Sequence, residues 1–257
     1  MNSLDAAFDL WAPRFTLCLG VGHHSSVQSN CGTVMTPSRS NAAKAFIDFV
    51  DDSTFPCVGA KAAVSCGGLD IMTAGDLCAA DFDDAILQRV EIFVEGLSAQ
   101  RLFTSFAVTF PDTPLLSETQ FEQRLWQRLQ AIHELDAQKH VWDPAVSSDP
   151  GSPAFGMSVA GHGFYVIGVH PGASRPARRF HHAALVFNLH SQFERLRSQG
   201  RYEKLKTAIA DRDRALSGSN NRMLAVHGVI SEAPQYSGRV VGDDWQCPFN
   251  PRMPASS

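Results

Sequence analysis

The chain has 257 residues, 44% of them hydrophobic, and a formal charge of −4 with its histidines neutral. That length buries a sizeable core in one large domain without staples, and so mild a charge gives no reason to expect nucleic acid or an anionic membrane as partner. No apolar run is long enough to span a bilayer.

The N-terminus "MNSLDAAFDLWAPRF" lacks the basic start and apolar block of a secretory signal. Six cysteines (Cys18, Cys31, Cys57, Cys66, Cys78, Cys247) are scattered, with no Cys-x-x-Cys pair. That argues against a zinc ribbon and for reduced thiols in the cytoplasm.

Residues 1–40 read as a loosely structured segment, with Gly-, Ser- and Asn-rich loops such as "GVGHHSSVQSN". Residues 41–250 read as a single domain. Asn41 is a candidate cap for a helix in "NAAKAFIDFVDD", which places Ala45, Phe46 and Phe49 on one face. "CVGAKAAVSC" is a second helix, with Pro56 at or near its first position. "DFDDAILQRVEIFVEGL" is a third. "RLFTSFAVTF" reads as a strand ended by "PDTP". Ser117 and Gln120 then form a capping-box pattern before Phe121, Leu125, Leu129 and Ile132 at helical spacing. "AFGMSVA" and "GFYVIGVH" are strands joined by a short Gly-containing link, and "AALVF" is another strand. Residues 190–216 are helical, split at Gly200, and the remainder is turn-rich. The mixture lacks regular βαβ alternation, so the expected fold is α+β: a mostly antiparallel sheet flanked by helices.

Standard motifs for nucleotides, zinc peptidases and α/β-hydrolases are absent. Four stretches carry the candidate chemistry. His190 follows the apolar run "LVFNL" and opens a helical pattern. If Asn188 caps that helix, the backbone dipole holds the imidazole neutral, the form that binds a metal. A lone histidine in an apolar setting is more often a hydrogen-bonded core residue. His170 ends a strand in "HPGASRPARRF", with Arg175, Arg178 and Arg179 after it. Arginine forks match carboxylates or phosphates, although such clusters are usually solvated loops. Cys57 in "FPC" falls in a first helical turn, where a thiolate is favoured; the plainer alternative is a small buried residue. "SEAPQYSGRVVGDDWQCPF" gathers Glu232, Tyr236, Arg239, Asp243 and Asp244 in an irregular segment with aromatic anchors.

In this order, "FPC", "HPGASRPARRF", "VFNLHSQFERLR", "SEAPQYSGR" and "WQCPF" resemble the YqcI/YcgG family over roughly residues 45 to 250. The chain departs from the family pattern at Asn188-Leu189-His190, where members often carry Asn-Pro-His, and at Asn220-Asn221, where they often carry Asn-Pro.

The resemblance implies a haem protein, of the haem b type, that N-hydroxylates the guanidino or amino group of a small arginine-like substrate. It takes dioxygen and the electrons of a separate reductase. It implies His190 as iron ligand, with His170 as rival and Cys57 and Cys247 behind them. Arg175, Arg178, Arg179, Phe187, His170 and Cys57 are the implied haem contacts. Glu232 would pair a guanidinium, with Asp243 or Asp244 behind it, and Tyr236 and Gln235 would orient the substrate. Two other readings stay open: a haem sensor or carrier, and a non-haem iron site built from the two histidines and Glu232.

Overall fold

The computed structural model describes residues 37–98, 100–221 and 229–252. Most of the expected loose segment 1–40 therefore lies outside the described residues. Helix α1 (Pro37–Asp51) already begins at Pro37, ahead of the Asn41 expected to cap it. There follow α2 (Val58–Ser65), β1 (Leu69–Thr73), α3 (Asp83–Glu95), β2 (Ser105–Phe110), α4 (Glu118–Asp136), β3 (Met157–Val159) and β4 (His162–Val169). A 3-10 turn (Pro176–Arg178), β5 (Ala183–Leu189), α5 (His190–Ser198), α6 (Tyr202–Ser217) and a second 3-10 turn (Ala233–Gln235) complete the order.

The strands form one sheet in the order β1-β2-β5-β4-β3. Only β1 and β2 run parallel; the other three pairings are antiparallel. This is the expected α+β arrangement. The pattern did not reveal β1. Its five residues include Asp70, a poor strand former, and every position is half-buried, so no alternation shows. Tertiary contacts override the propensity: Arg89 of α3 donates to both Asp70 oxygens at 2.6 and 2.8 Å. With β1 in place, β1-α3-β2 is a single βαβ unit on the edge of the sheet.

Helix α4 follows its sequence signature. The Ser117–Gln120 capping box closes its first turn, and Phe121, Leu125, Leu129 and Ile132 are fully buried. The β3–β4 hairpin turns on Ala160 and Gly161, both at positive φ (52° and 70°). A two-residue turn of that kind matches strand twist. Ala160 holds this unusual conformation with its N–H donating to the Asp136 carboxylate at 2.7 Å.

Strand alternation gives the sheet two apolar faces. Phe106, Val108, Phe164, Val166, Leu185 and Phe187 face one cluster with α3 and α4. Ala107, Ile167, Val169, Ala184 and Val186 face a second with α1 and Phe180. Under the first face, Arg128 of α4 reaches Asp83 at the start of α3 and donates to the carbonyls of Leu77 and Ala79. Both side chains are under 10% exposed. Burial pushes the Asp83 carboxyl up, and Arg128 opposes that push. Arg128→Leu strands a buried carboxylate and two carbonyls, so it should lower unfolding free energy by about 3–5 kcal/mol in urea melts. A loss below about 1 kcal/mol would mean that Asp83 relaxes to water or protonates without penalty.

Candidate functional site

On the second face, a cavity of about 300 Å³ lies between the sheet and helices α1, α2 and α6. Its apolar wall comes from Phe46, Phe49, Phe55, Ile167, Val169 and Val186. The polar residues arrive from distant parts of the chain. β4 supplies Tyr165, β5 supplies Asn188, and α5 begins with His190 at the cavity edge.

Several residues expected from the sequence meet here: Cys57, Arg175, Arg178, His190, Glu232 and Gln235. His190 is the first residue of α5, as the dipole argument required. Leu189 occupies the capping position rather than Asn188. Asn188 instead locks strands together. Its Oδ1 accepts from Ser105 Oγ at 2.7 Å, and its Nδ2 donates to the Tyr165 carbonyl at 3.3 Å. His190 Nε2 stands 3.8 Å from Glu194 Oε1, one turn on.

Cys57 is the cap of α2, not a residue within its first turn, and Pro56 lies outside the helix. Its sulfur accepts from Ala60 N at 3.4 Å. Burial nonetheless pushes the thiol up, against that bond and the nearby Arg178. The expected thiolate is therefore a protonated thiol.

The arginines are differently committed than expected. Arg175 pairs with Asp213 at 2.5 Å and donates to the Ser219 carbonyl at 3.1 Å. Arg178 donates to the carbonyls of Gly168, Gln235 and Tyr236 at 2.8, 3.0 and 3.3 Å. Arg179 braces its own loop through Ala173 and Ser174, away from the cavity.

The other expected residues also lie elsewhere. Phe187 points to the opposite face, against Phe106 and Phe164, because alternation sends its neighbours Val186 and Asn188 to the cavity. Tyr236 is fully buried, stacked on Trp126 at 5.3 Å, and its hydroxyl donates to the Phe164 carbonyl. Cys247 packs beside that core, and burial pushes its thiol up to about 12. His170 is 2% exposed and stacked on Phe121 of α4 at 4.1 Å. His170, His190 and Glu232 do not assemble, and no group of three metal-ligating side chains exists among the described residues. Asp243 and Asp244 are exposed.

The sequence missed Tyr165, Arg197, Tyr202, Lys206 and Asp213, all of which line the cavity. Tyr165 donates to Gln235 Oε1 at 2.9 Å, fixing the amide. Burial, and then the charge of Glu232, raise its phenol well above the ordinary value. Strand parity with Ile167 and Val169 was the available signal. The α6 residues repeat at helical spacing, which the tertiary fold alone aims at the cavity.

The chain belongs to the YqcI/YcgG family. The family model matches residues 45–250, which include every described residue lining the cavity. No curated protein and no solved structure matches the chain. The residue types gathered here are ones that could hold the haem expected from the sequence. An imidazole and a thiol border an apolar wall.

His170 carries its own consequence. Burial pulls its imidazole from 6.5 down to about 4, and its Nδ1 has no hydrogen-bond partner. The unfolded chain binds this proton near pH 6.5, while the folded chain does not until about pH 4. Stability is therefore full above pH 6.5 and falls as pH drops through that window. The loss should reach about 2 kcal/mol between pH 7 and pH 5. His170→Phe should flatten the slope in urea melts at those two pH values. An unchanged slope would assign it to other groups.

Proposed function

We propose that the chain binds haem in this cavity and N-hydroxylates a guanidino or amino group of a small arginine-like molecule. One observation carries the reading: residues from "FPC", "HPGASRPARRF", "VFNLHSQFERLR" and "SEAPQYSGR" meet at one cavity. Membership of the YqcI/YcgG family supports it further.

In this reading His190 would hold the haem iron through an imidazole nitrogen, and Cys57, held as a thiol by burial, would be a wall residue of the same cavity. Haem, when bound, supplies dioxygen activation and transfer of one oxygen atom to nitrogen. The reaction consumes dioxygen, an electron pair and protons, and yields the hydroxylated nitrogen and water. The described residues include no flavin or nicotinamide motif, so a separate reductase supplies the electrons. Glu232 accepts the cationic nitrogen group, because such a cation enters an apolar cavity only with a carboxylate beside it. Gln235, its carbonyl oxygen held by Tyr165, turns its amide N–H toward the ligand as a donor. The phenol of Tyr165 stays protonated at neutral pH and so keeps that bond.

The described cysteines are all free, and no helix among the described residues is long and apolar enough to cross a membrane. Free thiols fit a reducing compartment, and we place the reaction in the cytoplasm.

The test is the absorption spectrum of the purified protein with haem supplied, in ferric, ferrous and ferrous-carbonyl forms. A stoichiometric Soret band with a histidine-type carbonyl complex is expected. His190→Ala should lose axial ligation, and Glu232→Gln should keep haem and lose turnover by at least about 100-fold. A strongly red-shifted carbonyl band moves the ligand role to Cys57. Failure to take up haem ends this proposal, and haem that no guanidino or amino compound perturbs leaves a sensor or carrier in its place.

A further inference from the structure

Among the described residues, four cations line the cavity (Arg175, Arg178, Arg197 and Lys206) against two carboxylates, Asp213 and Glu232. The arginines have partners. Arg175 holds Asp213, Arg178 holds three carbonyls, and Arg197 pairs with Glu194 while its guanidinium sits 4.3 Å from the centre of the Tyr202 ring. Lys206 differs. It is half-buried, and no hydrogen bond or ion pair joins it to any described residue.

Its place on α6 sharpens the contrast. Tyr202, Lys206, Ile209, Ala210 and Asp213 recur one helical turn apart and share the cavity face. Packing alone asks for an apolar residue at 206. An ammonium there gives up part of its hydration with no carboxylate in return, which is unfavourable unless something else supplies the charge. The lining as a whole carries positive charge in excess, four cations against two carboxylates.

We infer that the cavity takes a ligand carrying a carboxylate or similar oxyanion, and that Lys206 is the counter-charge that receives it. The inference rests on the functional reading above, and it moves the anion-holding role from the expected Arg175, Arg178 and Arg179 to a lysine. Two sources offer the same chemistry: the propionates of a porphyrin, or a carboxylate on the substrate.

The first test needs no haem. Anilinonaphthalene sulfonate and phenyl-naphthylamine are fluorescent dyes of like shape, the first anionic and the second neutral. Lys206→Gln should weaken the sulfonate dye about tenfold and leave the neutral dye unchanged, while Lys206→Arg should retain both. An unchanged sulfonate affinity, an equal loss for both dyes, or no sulfonate binding by the wild type overturns the role. Those outcomes describe a lysine whose stem packs while its head stays in water.

The second test separates the sources. Weakened uptake of haemin but not of haemin dimethyl ester in Lys206→Gln assigns the anion to the propionates. Unchanged haemin uptake, with weakened binding of arginine but not of its decarboxylated analogue agmatine, assigns it to the substrate. Normal affinity for haemin and arginine alike overturns the inference. If the wild type takes up no haem yet discriminates between the dyes through Lys206, the haem proposal fails and the anion site stands.

Discussion

Arg178 donates through one nitrogen to the carbonyls of Gly168 and Tyr236 and through the other to that of Gln235, so a single guanidinium closes the end of β4 onto the turn that carries Glu232. Burial pulls its pKa down, and no carboxylate bonds to it. The surrounding backbone is arranged for this bond set. Gly168 N donates to the Tyr236 carbonyl at 2.7 Å, which extends the sheet edge by one rung. A Cβ at Gly168 would lie 2.6 Å from Leu125 and 2.7 Å from Phe121, so α4 lies directly against this point. Gly238, at φ +80°, lets the chain turn past the arginine stem. The position of Glu232 and Gln235 at the cavity thus depends on an arginine that the sequence offered as a ligand contact. Its fork meets carbonyls rather than an anion, and its role is to build the wall.

The readable parts of the sequence were those whose signal is local. The α4 capping box, its buried stripe and the Gly200 break between α5 and α6 all lie within a few residues of their cause. What failed was set by distant partners. β1 exists because β2 pairs with it and Arg89 neutralises Asp70, and neither fact is local. Helix-terminus logic left Cys57 open between a thiolate and a small buried residue, and enclosure by distant elements decides for the buried thiol. For the site, motif order placed six of the expected residues at one cavity but gave no means of telling wall from core. Tyr236 and Gln235 are adjacent, yet one is a pillar against Trp126 and the other lines the cavity.

The wall formed by α6 is unlike the rest of the core. Only Leu205 and Asp213 of its sixteen residues are buried, and its inner apolar stripe lines open space instead of filling it. Polar ties hold it: Arg175 to Asp213, and Arg212 to the carbonyls of Ser53 and Phe55. Ion pairs and carbonyl bonds are directional, whereas apolar burial is not, so they fix a helix in place without requiring the space beneath it to be filled. The opposite face shows the reverse solution, with α3 and α4 packed into contact by Phe93, Phe106, Phe121 and Leu129. One sheet therefore supports one face filled by α3 and α4 and another that leaves a cavity beside α6.

The two histidines show how that division is encoded. Both follow a strand, and both stand at even-numbered positions. In β4 the odd residues Tyr165, Ile167 and Val169 face the cavity, so His170 falls on the other side and stacks on Phe121. In β5 the even residues Val186 and Asn188 face the cavity, so His190 arrives there. The antiparallel register sets this difference, pairing Tyr165 with Asn188 and Ile167 with Val186, odd against even. A slip of one residue would pair odd with odd and send both histidines to the same face of the sheet. The imidazole that borders the cavity and the one buried as a neutral core residue are thus distinguished by the pairing between strands, a relation that neither local sequence contains.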